Sequence, residues 1–376
     1  MSNGFSLLIV GNGFDKASGL NSSFSDFVNN KYPNIGNILG VIEKDLRNLH
    51  TNNNLFFEKI DSSATPLLLL FIIVYSYVNG FKNKNILWMD VEKTLETVFV
   101  SNGESSKLRD IYNRLKEKRT HQLNDDCTSY MTEIINKFYN PIMSSLETYE
   151  KFCYFMKEQI ENFEQFFTKY LASETMKTSN KGKTYSYDEQ AKELFHKIVG
   201  KENAKNTSVL NFNYTEPKCF LDRVENVHGR LLTKNAIIGI DSTKIDVKKE
   251  EYIFTKTYRK VEDFTRHGEV KRVNDILNTG FHEIYFYGHS LGEQDYSYFQ
   301  SIFDRQNIYY NSQVKLIFCY SIYDTKIENY IKTNIVKSVC SLIEKYGETL
   351  DNKSQGKNLL HKLLAEGRLI IKKVNL

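Results

Sequence analysis

A short apolar run, Ser6-Leu-Leu-Ile-Val10, passes without a break into Gly11-Asn-Gly-Phe-Asp15. No other feature constrains the fold as strongly. An apolar run of this length that ends in Gly-x-Gly reads as a buried strand turning sharply into a helix or loop. Similar strand-like texture returns late in the chain, at Thr207–Phe212, Ala236–Ile240, Glu283–Tyr287 and Val314–Tyr320, with Arg368–Val374 as a last strand. Helical patterns lie between several of these. Strands alternating with helices imply an α/β sheet, largely parallel.

Between the first strand and the later ones the pattern is helical. Ile35, Ile38, Leu39, Ile42, Leu46 and Leu49 recur at three- and four-residue steps, as do Leu108, Ile111, Tyr112 and Leu115. Ile134 to Leu171 carries Phe152, Phe155, Phe163, Phe166 and Phe167 at helical spacing, which simple core packing explains. Thr178 to Tyr187 reads as a polar loop. The simplest architecture is one α/β domain built from residues 1–34 and 201–376, interrupted by a helical insertion at 35–200.

Composition removes several classes. The 50 basic and 46 acidic residues leave a net charge of +4, without the concentrated basic field of a nucleic-acid binder. The stretch Lys244 to Arg272 mixes signs and reads as a solvated surface. Five widely spaced cysteines with no Cys-x-x-Cys read as reduced thiols in a cytoplasmic protein, and no metal site is expected. The N-terminus has no signal-like pattern. The longest apolar run, Leu67 to Val78, falls short of the roughly twenty residues of a spanning helix, so no membrane partner is expected.

Five constellations could carry chemistry. Gly11-x-Gly13, with Gly19 beyond, has the logic of a phosphate turn, because glycines let the backbone approach a pyrophosphate. The usual dinucleotide fingerprint would need a small residue at Lys16, and a tight turn without a ligand accounts for the pattern equally well. Asp15 is placed either to cap the next helix or to hydrogen-bond a ribose or water. Asn213, in Asn211-Phe-Asn-Tyr-Thr215, ends a strand where α/β ligands bind, and His228-Gly229 offers an imidazole suited to proton transfer. Gly288-His-Ser-Leu-Gly292 closes a second strand, with Asp295 following. The string matches a serine-hydrolase elbow, but only His361 follows Asp295, within an apolar helical stretch. Trp88-Met-Asp-Val-Glu92 holds two acids two apart, which do not share a helix face, and reads as an exposed helix start.

Taken together, Leu8-Ile-Val-Gly-Asn-Gly-Phe-Asp15, Gly19-Leu20, Trp88–Glu92, Asn211–Thr215, Val227-His-Gly229, Ile238-Gly-Ile-Asp241 and Tyr287–Gly292 resemble the AbiH family of bacterial abortive-infection proteins that act against phage. A more distant resemblance is to sirtuin-like NAD-binding domains, through Gly11, Gly13, Gly19, Asn213, His228-Gly229 and Gly288-His-Ser290. Thr215 stands where those domains carry an acid, and the zinc ribbon of the protein deacylases is absent.

The resemblance implies a Rossmann-like, sirtuin-like sheet with a large helical insertion. It implies a pocket for NAD, as substrate or ligand, contacted by Gly11, Asn12, Gly13, Phe14, Gly19, Gly288, His289, Ser290 and Asp295. Asn213, His228 and Asp15 would be catalytic in hydrolysis of the nicotinamide–ribose bond. The implied role is an antiphage effector answering a phage-derived trigger. Homo-oligomerisation stays open, as do a non-catalytic nucleotide sensor or interaction module and a toxin acting on nucleic acid.

Overall fold

A computed structural model describes residues 5–31, 66–69, 88–100, 105–117, 128, 131–132, 134–136, 139, 144–176, 186–220, 223–231, 236–267, 276, 279–323 and 325–376. In chain order the elements are β1 (Phe5–Val10), α1 (Asn12–Ala17), α2 (Phe24–Lys31), α3 (Trp88–Phe99), α4 (Lys107–Glu117), α5 (Tyr149–Met176), α6 (Tyr187–Val199), β2 (Thr207–Asn211), β3 (Val224–Asn226), α7 (Lys256–His267), β4 (Phe281–Tyr287), α8 (Tyr296–Gln306), β5 (Lys315–Tyr320), α9 (Glu328–Thr349), α10 (Lys353–Ala365) and β6 (Leu369–Lys373). The helical stripe at Ile35–Leu49, most of the Leu67–Val78 run and the polar loop up to residue 185 lie outside the described residues.

The chain divides into two compact units. The first comprises Met1–Ser22, Leu171–Ala236 and His267–Leu376; the second comprises Ser23–Tyr170 and Ile237–Arg266.

The first unit is built on a six-stranded, all-parallel sheet of order β3-β2-β1-β4-β5-β6. The α/β sheet expected from the sequence is therefore present, with the strand order of the doubly wound dinucleotide folds. Alternation along β1 explains its central place. Leu7 and Ile9 face one core, with Phe286, Phe318, Phe299 and Phe303. Leu8 and Val10 face the other, with Phe14, Phe195, Ile198 and Tyr285. All four β1 side chains are fully buried, each contributing about 1.5–3 kcal/mol.

One strand expectation needs correction, and one strand of the sheet was not foreseen. Ala236–Ile240 is not a strand of the sheet: Ile240 makes an isolated bridge to Thr255 instead. Gly239 permits this, since a Cβ there would lie 2.8 Å from the Phe254 carbonyl. The sheet takes Val224–Asn226 as its edge strand, a three-residue segment too short to show a period.

The second unit packs aromatics at helical spacing, as the sequence implies. Phe27 of α2 meets Phe167 and Tyr170 of α5, each at 5.3 Å between ring centroids. Several of its buried charges are paired. Arg259 grips Glu164 through both guanidinium nitrogens, Nη2 at 2.8 Å from Oε2, while the Ile238 amide also donates to Glu164. Lys256 Nζ lies 2.8 Å from Glu92. Glu92 is therefore buried rather than part of an exposed helix start. Lys256 and Arg259 likewise depart from the solvated surface expected of their stretch, because each finds a carboxylate inside the unit.

Candidate functional site

Parallel register gathers the sequence motifs at one sheet edge. Val10 pairs with Asn211 and with Tyr287, and Asn211 pairs with Asn226. Two residues beyond that row, on the four adjacent strands, stand Asn12, Asn213, His228 and His289. The order reverses between β1 and β4, the switch point outside whose carboxyl ends ligands of open α/β sheets bind.

The two glycine turns at that point interlock. Gly13 N–H donates to the Gly288 carbonyl at 2.8 Å, and Gly11 N–H to the Tyr287 carbonyl at 3.1 Å. A Cβ on Gly11 would lie 2.7 Å from His289 Cα, and one on Gly13 would lie 2.6 Å from Gly288 Cα. Close approach of two backbones thus accounts for all three glycines. Gly19 ends α1: it has φ +81°, its N–H donates to the Lys16 carbonyl, and Leu20 N–H donates to Asp15. That pattern is a Schellman cap. The Phe14 ring is buried between Phe220 and Tyr287, at 5.3 and 6.1 Å. Asn12 accepts from Ser22 through its side-chain oxygen.

Asp15 does not cap its helix. Its carboxylate accepts from Thr215 Oγ1 and from Tyr187 Oη, each at 2.6 Å. It is 2% exposed, and burial raises its pKa from 3.8 to about 6 against the pull of the two hydroxyls. Burial, then the neighbouring carboxylate, raises Tyr187 well above the ordinary phenol range, which keeps it a donor. Tyr187 opens α6 rather than closing a loop. The signal was present in Ser186-Tyr-Asp-Glu189, a capping box in which Ser186 accepts the Glu189 amide and Glu189 accepts that of Ser186.

Three asparagines fix the loop after β2. Asn211 Oδ1 accepts from the Asn213 amide, and Asn211 Nδ2 donates to the Thr215 carbonyl. Asn226 Nδ2 donates to the carbonyls of Asn213 and Thr215, at 3.0 and 3.2 Å. Asn213 Nδ2 reaches across to the Gly11 carbonyl at 3.1 Å and so joins the β2 loop to the first glycine turn. With Nδ2 committed to two carbonyls, the Asn226 Oδ1 acceptor is buried and receives no hydrogen bond from the described residues. Sequence reading overlooked Asn226, although it lies two residues before His228.

His228 and His289 share one carboxylate. His228 Nε2 is 3.0 Å from Asp295 Oδ1, and His289 Nε2 is 3.2 Å from Asp295 Oδ2. The Phe212 ring meets both imidazoles edgewise, His289 at 4.6 Å and His228 at 5.5 Å, and Tyr298 flanks His228 at 6.0 Å. A carboxylate on one ring nitrogen orients an imidazole and stabilises its protonated form, the arrangement of a general base.

Ser290 is exposed, and among the described residues its hydroxyl accepts only a long contact from Gly292 N–H at 3.4 Å. The left-handed residues of this turn are Gly288 and Leu291, not Ser290, so the strained nucleophile of a hydrolase elbow is not formed here. His361 lies exposed on α10.

Fold and site together define a doubly wound α/β protein with a histidine–carboxylate cluster at its switch point. The family model "Bacteriophage abortive infection AbiH" matches residues 7–320, and the chain belongs to that family, with a role in abortive infection. No curated protein and no solved structure gives a significant match. No helix among the described residues is long and apolar enough to cross a membrane.

Proposed function

We propose that this AbiH protein takes NAD as a substrate at the β1/β4 switch point and hydrolyses its nicotinamide–ribose bond. NAD loss in an infected cell would then stop growth before phage multiply. The observation that carries the reading is the His228–Asp295 pair, with His228 in the same register row as Asn213. Asn226 Oδ1 adds a buried acceptor on the adjacent strand end, suited to a ribose hydroxyl or carboxamide donor.

The chemistry asks little of the protein beyond orientation. The leaving group is a pyridinium, so the C1′–N1 bond breaks with its electron pair returning to nitrogen, and neutral nicotinamide departs. Water oxygen bonds to C1′ of the oxocarbenium-like centre. With Nε2–H of His228 donated to Asp295, the lone pair lies on Nδ1, a buried atom that would take the water proton once bound substrate brings a water to it; Asp295 stabilises the imidazolium formed. Asn213 orients the water or ribose.

A second reading has its own observation. The Gly13 amide that would face a pyrophosphate is engaged by Gly288. That favours a module that binds a dinucleotide without cutting it, or one whose turns part on a phage-derived trigger. The test is the full chain with NAD, following free nicotinamide and thermal midpoint together, beside His228→Ala. Turnover lost in the variant supports hydrolysis. Stabilisation by NAD without nicotinamide supports the sensor. Neither effect, with a phage lysate present, overturns both.

A further inference from the structure

We infer that His289 is a positioning residue: it pins the Asp295 carboxylate from one side so that the carboxylate fixes His228 from the other. The catalytic consequence rests on His228 as the base; the positioning itself does not.

The argument begins at Leu291. Its φ is +57°, a left-handed conformation that is strained for a non-glycine residue. The side chain is 9% exposed and belongs to the core that also contains Phe212 and Phe299. Core packing therefore holds a backbone that would otherwise relax, and in that conformation Leu291 N–H meets His289 Nδ1 at 2.9 Å. A backbone donor on Nδ1 requires the lone pair there, so the neutral ring carries its proton on Nε2.

That nitrogen lies 3.2 Å from Asp295 Oδ2, within ion-pair reach of the carboxylate. The other oxygen is left for His228, at 3.0 Å. Held at both ends, the carboxylate cannot turn away from His228. The ring of His289 is itself confined, with Phe212 at 4.6 Å and Phe299 at 5.0 Å, both edge to face. Apolar walls lower the local dielectric and strengthen each polar contact in the chain Leu291–His289–Asp295–His228. The result is a His228 with Nε2–H toward Asp295 and the basic electron pair on Nδ1. The Ser290 hydroxyl takes no part in that chain. The Gly288-His-Ser-Leu-Gly292 string therefore serves as a support for the histidine of another strand.

The test is long-range proton–nitrogen NMR of the histidine-labelled full chain, with nicotinamide release measured on the same samples. The expected wild-type spectrum has both His289 and His228 as Nε2–H tautomers. In Asp295→Asn, and more weakly in His289→Gln, His228 moves to a mixture of tautomers. Nicotinamide release falls roughly 10²–10⁴-fold in Asp295→Asn, with KM little changed. His289 found as the Nδ1–H tautomer in the wild-type protein overturns the inference, whether or not the variants fold. An unchanged His228 spectrum in Asp295→Asn also overturns it. A wild-type protein that gives the expected spectrum and its Asp295→Asn shift, yet releases no nicotinamide, supports the positioning and rejects the NAD reading.

Discussion

The backbone of Gly13 rests on that of Gly288. One amide hydrogen bond of 2.8 Å joins them, and a Cβ on Gly288 would come within 2.4 Å of Phe14 N. The turns after β1 and β4 are thus one interlocked unit. Gly288 also has φ +69°. Alanine at Gly288 combines a backbone clash with left-handed strain, so Gly288→Ala should lower stability by more than about 2 kcal/mol in denaturant unfolding. Gly13→Ala should follow closely. Gly280→Ala is the control, since a Cβ there meets nothing within 4 Å and the expected change is within about 0.5 kcal/mol.

The buried Asp15 carboxyl makes stability depend on pH. Its pKa is about 6 in the folded protein against 3.8 for an ordinary aspartate. Between those values the folded chain holds a proton that the unfolded chain has released. The contribution to stability is therefore complete below about pH 4 and is lost as pH rises through about 6, with a size on the order of 3 kcal/mol. Asp15→Asn removes this dependence. The stability of wild type relative to Asp15→Asn should rise by that amount from pH 7 to pH 4, measured by urea unfolding at each pH.

Asn226 stabilises the β2 loop through two hydrogen bonds, to the Asn213 and Thr215 carbonyls. Asn226→Ala leaves those carbonyls without that donor and should cost about 1–3 kcal/mol. Asn226→Asp keeps the size but sets a buried carboxylate against two carbonyl oxygens, and should cost more than the alanine. Equal losses in the two variants would mean that the amide donor is not what holds the loop.

In the second unit, Arg259 and Glu164 are both buried and bonded through two nitrogens. Removing one partner strands the other. Glu164→Leu alone should therefore destabilise by about 3–5 kcal/mol. Arg259→Met added to it should recover most of that loss, since an apolar pair avoids the desolvation of both charges. A double variant no better than the single would show that the Arg259 contact with the Ile238 carbonyl, at 2.9 Å, matters as much as the ion pair.

Much of the sheet was legible because strands write their environment locally. Ser6–Val10, Thr207–Asn211, Glu283–Tyr287 and Lys315–Tyr320 are apolar runs because both faces of a central parallel strand are covered. The family was legible for a similar reason: its motifs are short strings at strand ends, and the matching model spans residues 7–320. Local pattern misled where the deciding contact was distant. Ala236–Ile240 has the composition of a strand, yet its backbone partner is the Thr255 segment, and the place at the sheet edge went to Val224–Asn226.

The candidate site divides in the same way. Local composition alone marks which residues stand at strand ends: Gly11, Asn213, His228 and His289 each follow an apolar run within three residues or close a short one. Their partners come from contacts between segments distant in the chain. Parallel pairing brought residues 13 and 288 together, set Asp295 between two histidines far apart in sequence, and buried Asp15 against Tyr187 and Thr215. Hydrogen bonds of this kind leave no period in the chain. They join groups whose separation is fixed by sheet register, and register exists only once the strands have paired.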